Sequence, residues 1–360
     1  MKLAILGANG FVGSRAVEQF HLTGAFDVRP IVRRPAAMAR AARFNLDCRL
    51  ADALDAPQLE EAFRGCDALL HLATGDPRTI TGSVRPAFEA ATRAGLRRIV
   101  YISSASVHGQ APEPGTVEET PLHRRHLIAY NTAKVEAERE WQRLQRRGGP
   151  EVVVLRPAIV FGPRSRWVAS CADDLLAGRA YLIEGGRGVC NTIYVDNLLH
   201  AVRLALTVPQ AAGGTFFVGD RERITWLEFY RPIARALGVD PDSIAMLDRV
   251  PEFRPGVRER LQSLKSTAAV QFALRRTPAR LKRSVKAAIE GWRAPAAAPI
   301  ATRRAAGPAP TLEMALLHRC AWQLPWTKAA ATLGYEPIVP TAEGMRRSIE
   351  WLRFAGYPVQ

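Results

Sequence analysis

No apolar run in the 360-residue chain reaches the ~18 residues that a bilayer-crossing helix needs, so no membrane span is expected. Met1 leads straight into a strand-like run, and a signal peptide is not expected either. The five cysteines, Cys48, Cys66, Cys171, Cys190 and Cys320, are scattered, with no CxxC pair and no His/Cys cluster. That pattern speaks against a disulfide framework and a metal site, and it predicts reduced thiols in a cytoplasmic setting. Internal repeats beyond a strand–helix alternation are missing. Acidic side chains are short, 34 against 50 basic, which leaves a net charge of +16. The excess carries neither interleaved aromatic stacking positions nor a recognised nucleic-acid motif, so charge alone does not make this a nucleic-acid binder.

What is present begins at the N-terminus. The apolar run Lys2–Leu6 meets Gly7-Ala8-Asn9-Gly10-Phe11-Val12-Gly13 and then a helical pattern from Arg15 to Phe20. Gly7 permits a tight turn, Gly10 lets backbone approach a diphosphate, and Gly13 lets the helix pack closely on the strand. The helix N-terminus offers free N–H groups and a positive dipole end to phosphates. Asn9, Phe11 and Val12 complete the loop. A second strand, Val28–Val32, finishes at Arg33-Arg34, where an NAD site would place an acidic residue on the ribose 2′-hydroxyl. Arginine suits a 2′-phosphate instead, so NADP(H) is expected over NAD(H), unless the pair is a solvated basic loop. Asp52 follows a third apolar stretch, Leu46–Leu50, and either contacts the adenine amino group or caps the next helix. The fourth strand, Ala68–Leu72, runs into Ala73-Thr74-Gly75, small enough for close passage over a cofactor.

A fifth strand, Arg98–Ile102, ends at Ser103-Ser104-Ala105-Ser106-Val107-His108-Gly109. A hydroxyl there points into the same crevice and can stabilise an oxyanion as hydride moves. Tyr130 and Lys134 lie four apart in a helical segment, on one face. An ammonium beside a phenol favours the phenolate, bringing a group that titrates near pH ~10 toward the working range of an acid/base catalyst. Helices are expected at 10–22, 56–64, 83–94, 129–146, 196–206 and 226–237. The βαβ alternation to about residue 160 requires a parallel sheet, and the length and 48% apolar content suffice for one large α/β core plus a smaller lobe.

The glycines at 7, 10 and 13, Ser104 in SSASVHG, and Tyr130 with Lys134 about 26 positions on resemble the short-chain dehydrogenase/reductase superfamily. The branch is the extended one, the NAD-dependent epimerase/dehydratase type. Leu155-Arg156-Pro157-Ala158-Ile159-Val160-Phe161-Gly162-Pro163 resembles its segment lining the nicotinamide, with Pro157 and Ile159 as cofactor contacts. Tyr194-Val195-Asp196-Asn197 resembles its later strand-to-helix signature, and Ala331–Pro337 with Gly344–Trp351 its C-terminal end. The resemblance implies an α/β, Rossmann-like doubly wound parallel sheet over 1–165. A smaller C-terminal substrate lobe follows over 166–360, from which 190–206 returns to the nucleotide domain. It also implies Tyr130 as general acid/base, Lys134 lowering its pKa and holding the nicotinamide ribose, and Ser104 polarising a carbonyl. A homodimer through the Tyr/Lys helix is a further implication. His108 stands where the family has tyrosine; it contacts substrate or is a packed loop residue. Arg164 and Cys190 are the other substrate-side candidates. Cys190 takes the place of the arginine that grips the diphosphate in nucleotide-sugar enzymes, and a thiol is no bidentate clamp, although Arg187 could serve in a shifted register. Tyr194–Ala201 instead resembles the 3β-hydroxysteroid dehydrogenase and dihydroflavonol reductase side, whose members interconvert an alcohol and a ketone on an apolar small-molecule substrate. A nucleotide-sugar epimerase or dehydratase is the alternative. A catalytically idle NADP(H)-sensing regulator is a second.

Residues 251–308 form a basic Ala/Pro-rich insert, with thirteen basic and three acidic residues over 252–304, more than half of the net charge. Within it, Leu281, Val285, Ala288, Ile289 and Trp292 recur at helical spacing. A basic amphipathic helix over 279–293 fits peripheral contact with an anionic membrane, packing on the lobe, or an acidic partner.

Overall fold

The computed structural model describes residues 1–249 and 307–360. The insert's helical pattern at 279–293, and with it the membrane expectation, lies outside the described residues. No helix among them is long and apolar enough to cross a membrane.

A seven-stranded, wholly parallel sheet forms the core. It comprises β1 (Lys2–Leu6), β2 (Asp27–Val32), β3 (Arg49–Leu50), β4 (Ala68–His71), β5 (Arg98–Ile102), β6 (Glu151–Pro157) and β10 (Thr215–Val218). The order is β10-β6-β5-β4-β1-β2-β3, with Leu3–Leu6 of β1 facing Ala68–His71 of β4. Strand order therefore reverses between β1 and β4, and in such sheets the ligand crevice opens outside the carboxyl ends at that reversal. Helices cover both faces, so the central strands are apolar throughout rather than alternating; Leu3, Ala4, Ile5, Leu69, Leu70, Ile99 and Val100 have no exposed surface or almost none. On one face α1 (Phe11–Leu22) and α7 (Val195–Thr207) pack; on the other, α2 (Ala56–Phe63), α4 (Val84–Arg93) and α5 (Ala129–Gln145).

The sheet is completed later than the pattern suggests. The strand leading into α7, β9 (Thr192–Tyr194), pairs with β7 (Ile159–Phe161) outside the large sheet, and the seventh strand is β10. The third strand is also shorter than the apolar stretch Leu46–Leu50. As an edge strand it pairs only at Arg49 and Leu50, and Phe44–Cys48 turn on themselves. The lobe holds α6 (Arg166–Leu176), α8 (Trp226–Ala236) and a two-stranded parallel sheet of β8 (Tyr181–Ile183) with β11 (Ala245–Leu247), around a core containing Phe161, Trp226, Phe229 and Leu182. Helix α8 starts with a full capping box, Thr225 with Glu228. After the insert, α9 (Leu312–His318), α10 (Thr327–Leu333) and α11 (Thr341–Phe354) follow.

Asp196 and Asn197 knit these parts together. The Asp196 carboxylate accepts from Arg15 Nε at 2.7 Å and Nη2 at 2.9 Å on α1, and Arg347 of α11 stands 3.6 Å away. The Asn197 carboxamide accepts from the N–H groups of Ile338 and Val339 and donates to the Val339 carbonyl.

Candidate active site

The glycine turn is built backbone against backbone. Gly7 has φ +90°, and a Cβ there would lie 2.9 Å from the Leu72 carbonyl carbon at the end of β4. A Cβ on Gly13 would lie 2.3 Å from the Gly7 carbonyl oxygen, so α1 can start this close to β1 only with glycine. The residue before α1 is Gly10, and no side chain caps the helix, unlike α2, whose first turn takes Asp55. The first-turn N–H groups of α1 thus remain available to an anion.

This turn is one wall of a 720 Å³ cavity at the strand-order reversal, within the ~300–1,000 Å³ usual for cofactor and small-molecule sites. Gly7, Gly10, Phe11, Val12, Gly13 and Thr74 line it on the nucleotide side; Ser104, Tyr130, Lys134, Pro157 and Ile159 form its floor. Gly7, Gly10–Gly13, Thr74, Ser104, Tyr130, Lys134 and Pro157–Ile159, distant in sequence, thus line a single cleft.

Tyr130 stands at the second position of α5 and Lys134 one turn on. The Lys134 ammonium is buried. It donates to the Ile102 carbonyl at 2.8 Å and the Tyr101 hydroxyl at 3.3 Å, and sits 5.8 Å from the Tyr130 ring centre. Burial pushes its pKa down to about 8, with Glu138 holding it up. For Tyr130 the expected direction is reversed. Burial raises the phenol above its ordinary value, while the Ser104 hydroxyl and Arg166 pull it back only in part, so in the free chain desolvation outweighs the cationic neighbourhood. The Ser104 hydroxyl lies 2.8 Å from that of Ser106, whose N–H it also accepts at 3.2 Å, which fixes it as the cap of the short turn Ala105–His108.

Several candidates lie elsewhere. His108 is not in the cavity wall: its Nε2 is 3.1 Å from Arg156 Nη1 and its ring packs 5.3 Å from Phe217, and burial next to Arg156 lowers its pKa to about 4. Neutral, with Nε2 accepting, it is the packed residue, because the guanidinium behind the wall claims it. Cys190 is buried in the lobe core with its thiol pKa raised well up; its neighbours Val189 and Asn191 line the cavity instead. Asp52 caps nothing, since Asp55 does, and accepts from Leu54 N at 3.0 Å in a local turn. Arg33 and Arg34 are exposed at the end of β2, and neither forms an ion pair among the described residues. Ala73 packs on the core beside Gly7. Asn9 receives Arg40 Nη1 on its carbonyl at 2.9 Å.

Arg40 belongs to an arrangement with no pattern in the sequence. With Arg43 and Arg164 it rings a second, 130 Å³ cavity lined also by Ala8 and Ser14, and burial, with the two other guanidiniums adding to it, lowers the pKa of Arg164. Arg164, at φ +72°, lines both cavities. The lobe side of the main cavity is likewise unsignalled: Arg166 stacked 5.2 Å from the Trp167 ring, Glu313 and Leu317 of α9, Cys320 and Leu324. Among the described residues no group of His, Cys, Asp and Glu could hold a metal.

Comparisons with known proteins agree with this geometry. The chain is 26% identical to the 3beta-hydroxysteroid-dehydrogenase/decarboxylase isoform 2 of Arabidopsis thaliana, with 96% of the chain aligned to 61% of that protein. It is 24% identical to the UDP-glucose 4-epimerase of Vibrio cholerae over 65% of the chain and 75% of that protein. The chain thus spans under two thirds of the length of its plant relatives, 61% and 65%. Among solved structures, a dTDP-glucose 4,6-dehydratase of Streptomyces venezuelae holding NAD superimposes with a TM-score of 0.70 at 20% identity, over 98% of this chain and 97% of that one, which shows the fold. The pattern of one family, described as the NAD dependent epimerase/dehydratase family, covers residues 3–219, and the chain belongs to that family of NAD(P)-dependent enzymes.

Proposed function

We propose that the chain is an NADP(H)-preferring oxidoreductase that interconverts a secondary alcohol and a ketone on an apolar small molecule. The cavity fits a nicotinamide dinucleotide: glycines that tolerate no Cβ, an uncapped helix N-terminus and a volume of the right order. Gly7, Gly10–Gly13 and Thr74 would hold its diphosphate side, Pro157, Ile159 and Lys134 its nicotinamide side. Bound, it supplies or accepts the hydride. The chain's own residues handle the proton. With its pKa raised, the Tyr130 phenol is protonated at neutral pH and donates to the oxygen of a ketone as negative charge develops there. With the Ser106 N–H and hydroxyl both donating to its oxygen, the Ser104 hydroxyl has its proton left to donate to the same substrate oxygen. Lys134 keeps a positive charge under both.

The observation that carries the alcohol–ketone reading is the apolar lining that Ile128, Trp167, Val189, Leu317 and Leu324 give the cavity that Tyr130 also lines. The name of the plant relative is consistent with a lipid-like substrate. NADP(H) preference is supported by Arg40, which reaches the Asn9 carbonyl, with Arg33 and Arg34 at the end of β2. A nucleotide-sugar epimerase is the second reading, favoured by Arg164 and Arg166 on the cavity wall. NADPH absorbance over a panel of apolar ketones and sugar nucleotides separates them, since an epimerase shows no net change. Tyr130→Phe is expected to lower kcat by about 10²–10⁴ with NADPH affinity nearly unchanged. Turnover without Tyr130, or tighter binding of NADH than of NADPH, overturns the corresponding part.

A further inference from the structure

Behind the floor of the cavity lies a carboxylate that the reaction above leaves unused. Glu138 has no exposed surface and stands one turn beyond Lys134 and two beyond Tyr130 on the same face of α5. Its carboxylate accepts from the Ser103 hydroxyl and from Arg156, through Nη2 at 2.7 Å and Nε at 3.1 and 3.2 Å. Arg156 Nη1 continues to the Glu118 carbonyl at 2.9 Å. Ser103 is the neighbour of Ser104, and Arg156 of Pro157, so one side chain fastens α5 to the carboxyl ends of β5 and β6 where they form the floor.

Stability alone is a weak reason for such a pair, because apolar side chains of the same volume often serve as well or better in a core. The surroundings of Lys134 suggest another. The ring of His71, uncharged in its burial, approaches from β4. From β5 come the Tyr101 hydroxyl and the Ile102 carbonyl. From its own helix come the Tyr130 ring and Glu138. Of these only Glu138 is a carboxylic acid, and it follows Lys134 by four residues on the same face of α5, the spacing at which helical side chains are neighbours.

We propose that Glu138 is a positioning residue: held by Ser103 and Arg156, its carboxylate keeps the Lys134 ammonium charged at neutral pH. The proposal rests on the role given to Lys134 above, but its test needs no turnover. The chain has six lysines, so protein labelled with ¹³C-lysine gives few Cε resonances, and Lys134→Arg identifies the one of interest. In the free wild-type protein that resonance is expected to titrate near pH 8. In Glu138→Gln/Arg156→Met, which removes both buried charges together, the midpoint falls by roughly one unit. A merely structural pair leaves it in place, and an unmoved midpoint in the folded double variant overturns the proposal. If that variant does not fold, Glu138→Asp takes its place. It retains the charge but withdraws it by one methylene from Lys134, so the midpoint moves in the same direction by a smaller step; an unmoved midpoint there overturns the proposal equally. Failure of Tyr130→Phe to affect turnover would refute the proposed reaction and leave this titration untouched.

Discussion

The two walls of the cavity are built by different means. On the nucleotide side the wall is backbone, with Gly7 and Gly13 pressed on carbonyl groups of their own turn and of β4, and the helix start left uncapped. On the lobe side it is side chain, with Arg166, Trp167, Glu313, Leu317 and Leu324 drawn from segments some 150 residues apart. A backbone wall recognises what every cofactor of one class shares. A side-chain wall can be exchanged residue by residue, which is where relatives named for steroids and for sugar nucleotides can diverge on one frame.

That contrast can be broken most sharply at Gly13→Ala. With its Cβ 2.3 Å from the Gly7 carbonyl, the turn must open, and cofactor affinity measured by calorimetry is expected to drop by about a hundredfold or more, a loss of the order of 3 kcal/mol. An affinity within threefold of wild type would mean that the backbone wall is not what binds.

The next effect compares buried histidines of the two halves. His71, at the end of β4, has no hydrogen-bond partner on either ring nitrogen among the described residues and a pKa pushed down to about 3 by burial; in the lobe, His318 accepts from Ile183 N at 3.2 Å and burial pushes it down to about 4. Each binds its proton in the unfolded chain first, so the stability each confers is complete above about pH 6.5 and is lost as pH falls toward its folded value. Unfolding titrations should show His71→Phe abolishing about 2 kcal/mol of the loss between pH 7 and 5 at no cost at neutral pH. His318→Phe should instead cost about 1 kcal/mol at neutral pH, for the bond to Ile183. Equal behaviour of the two variants would erase the distinction.

Trp167→Ala is the mildest case. It is expected to raise KM for a bulky apolar substrate about tenfold, in line with the ~1–3 kcal/mol of a lost apolar contact, while cofactor affinity is retained. A change in cofactor affinity of the same size would join the two walls into one.

How legible all this is in the sequence follows the same division. The strands β1 and β5, helices α1 and α5, and the convergence of Gly7–Gly13, Ser104, Tyr130 and Lys134 can be read because each depends on local spacing. Glu138 continues the four-residue step from Tyr130 and Lys134, and that step is a signal for a buried acid on the cavity side. Arg40, Arg43 and Arg164 give no such signal, since they meet only through the turn after β2 and the left-handed backbone at Arg164. His108 keeps both its readings open in the sequence, and Cys190 suggests a substrate-side place only through the residue it replaces; burial next to Arg156 and in the lobe core decides where they go. The rise in the Tyr130 pKa is equally invisible without knowing how dry the site is.

The short strand β8 has a consequence for the chain's architecture. Before the insert, Ala245–Leu247 pair with Tyr181–Ile183; after it, Ala309 N donates to the Arg179 carbonyl and Thr311 N to the Tyr181 hydroxyl. The chain leaves and re-enters at one place. Both flanks of the insert are therefore held by the same three residues, Tyr181–Ile183, together with Arg179 just before them. Strand β8 is thus a shared anchor: a substitution that unseats Tyr181–Ile183 releases the chain on both sides of the insert at once, at Ala245–Leu247 and at Ala309–Thr311.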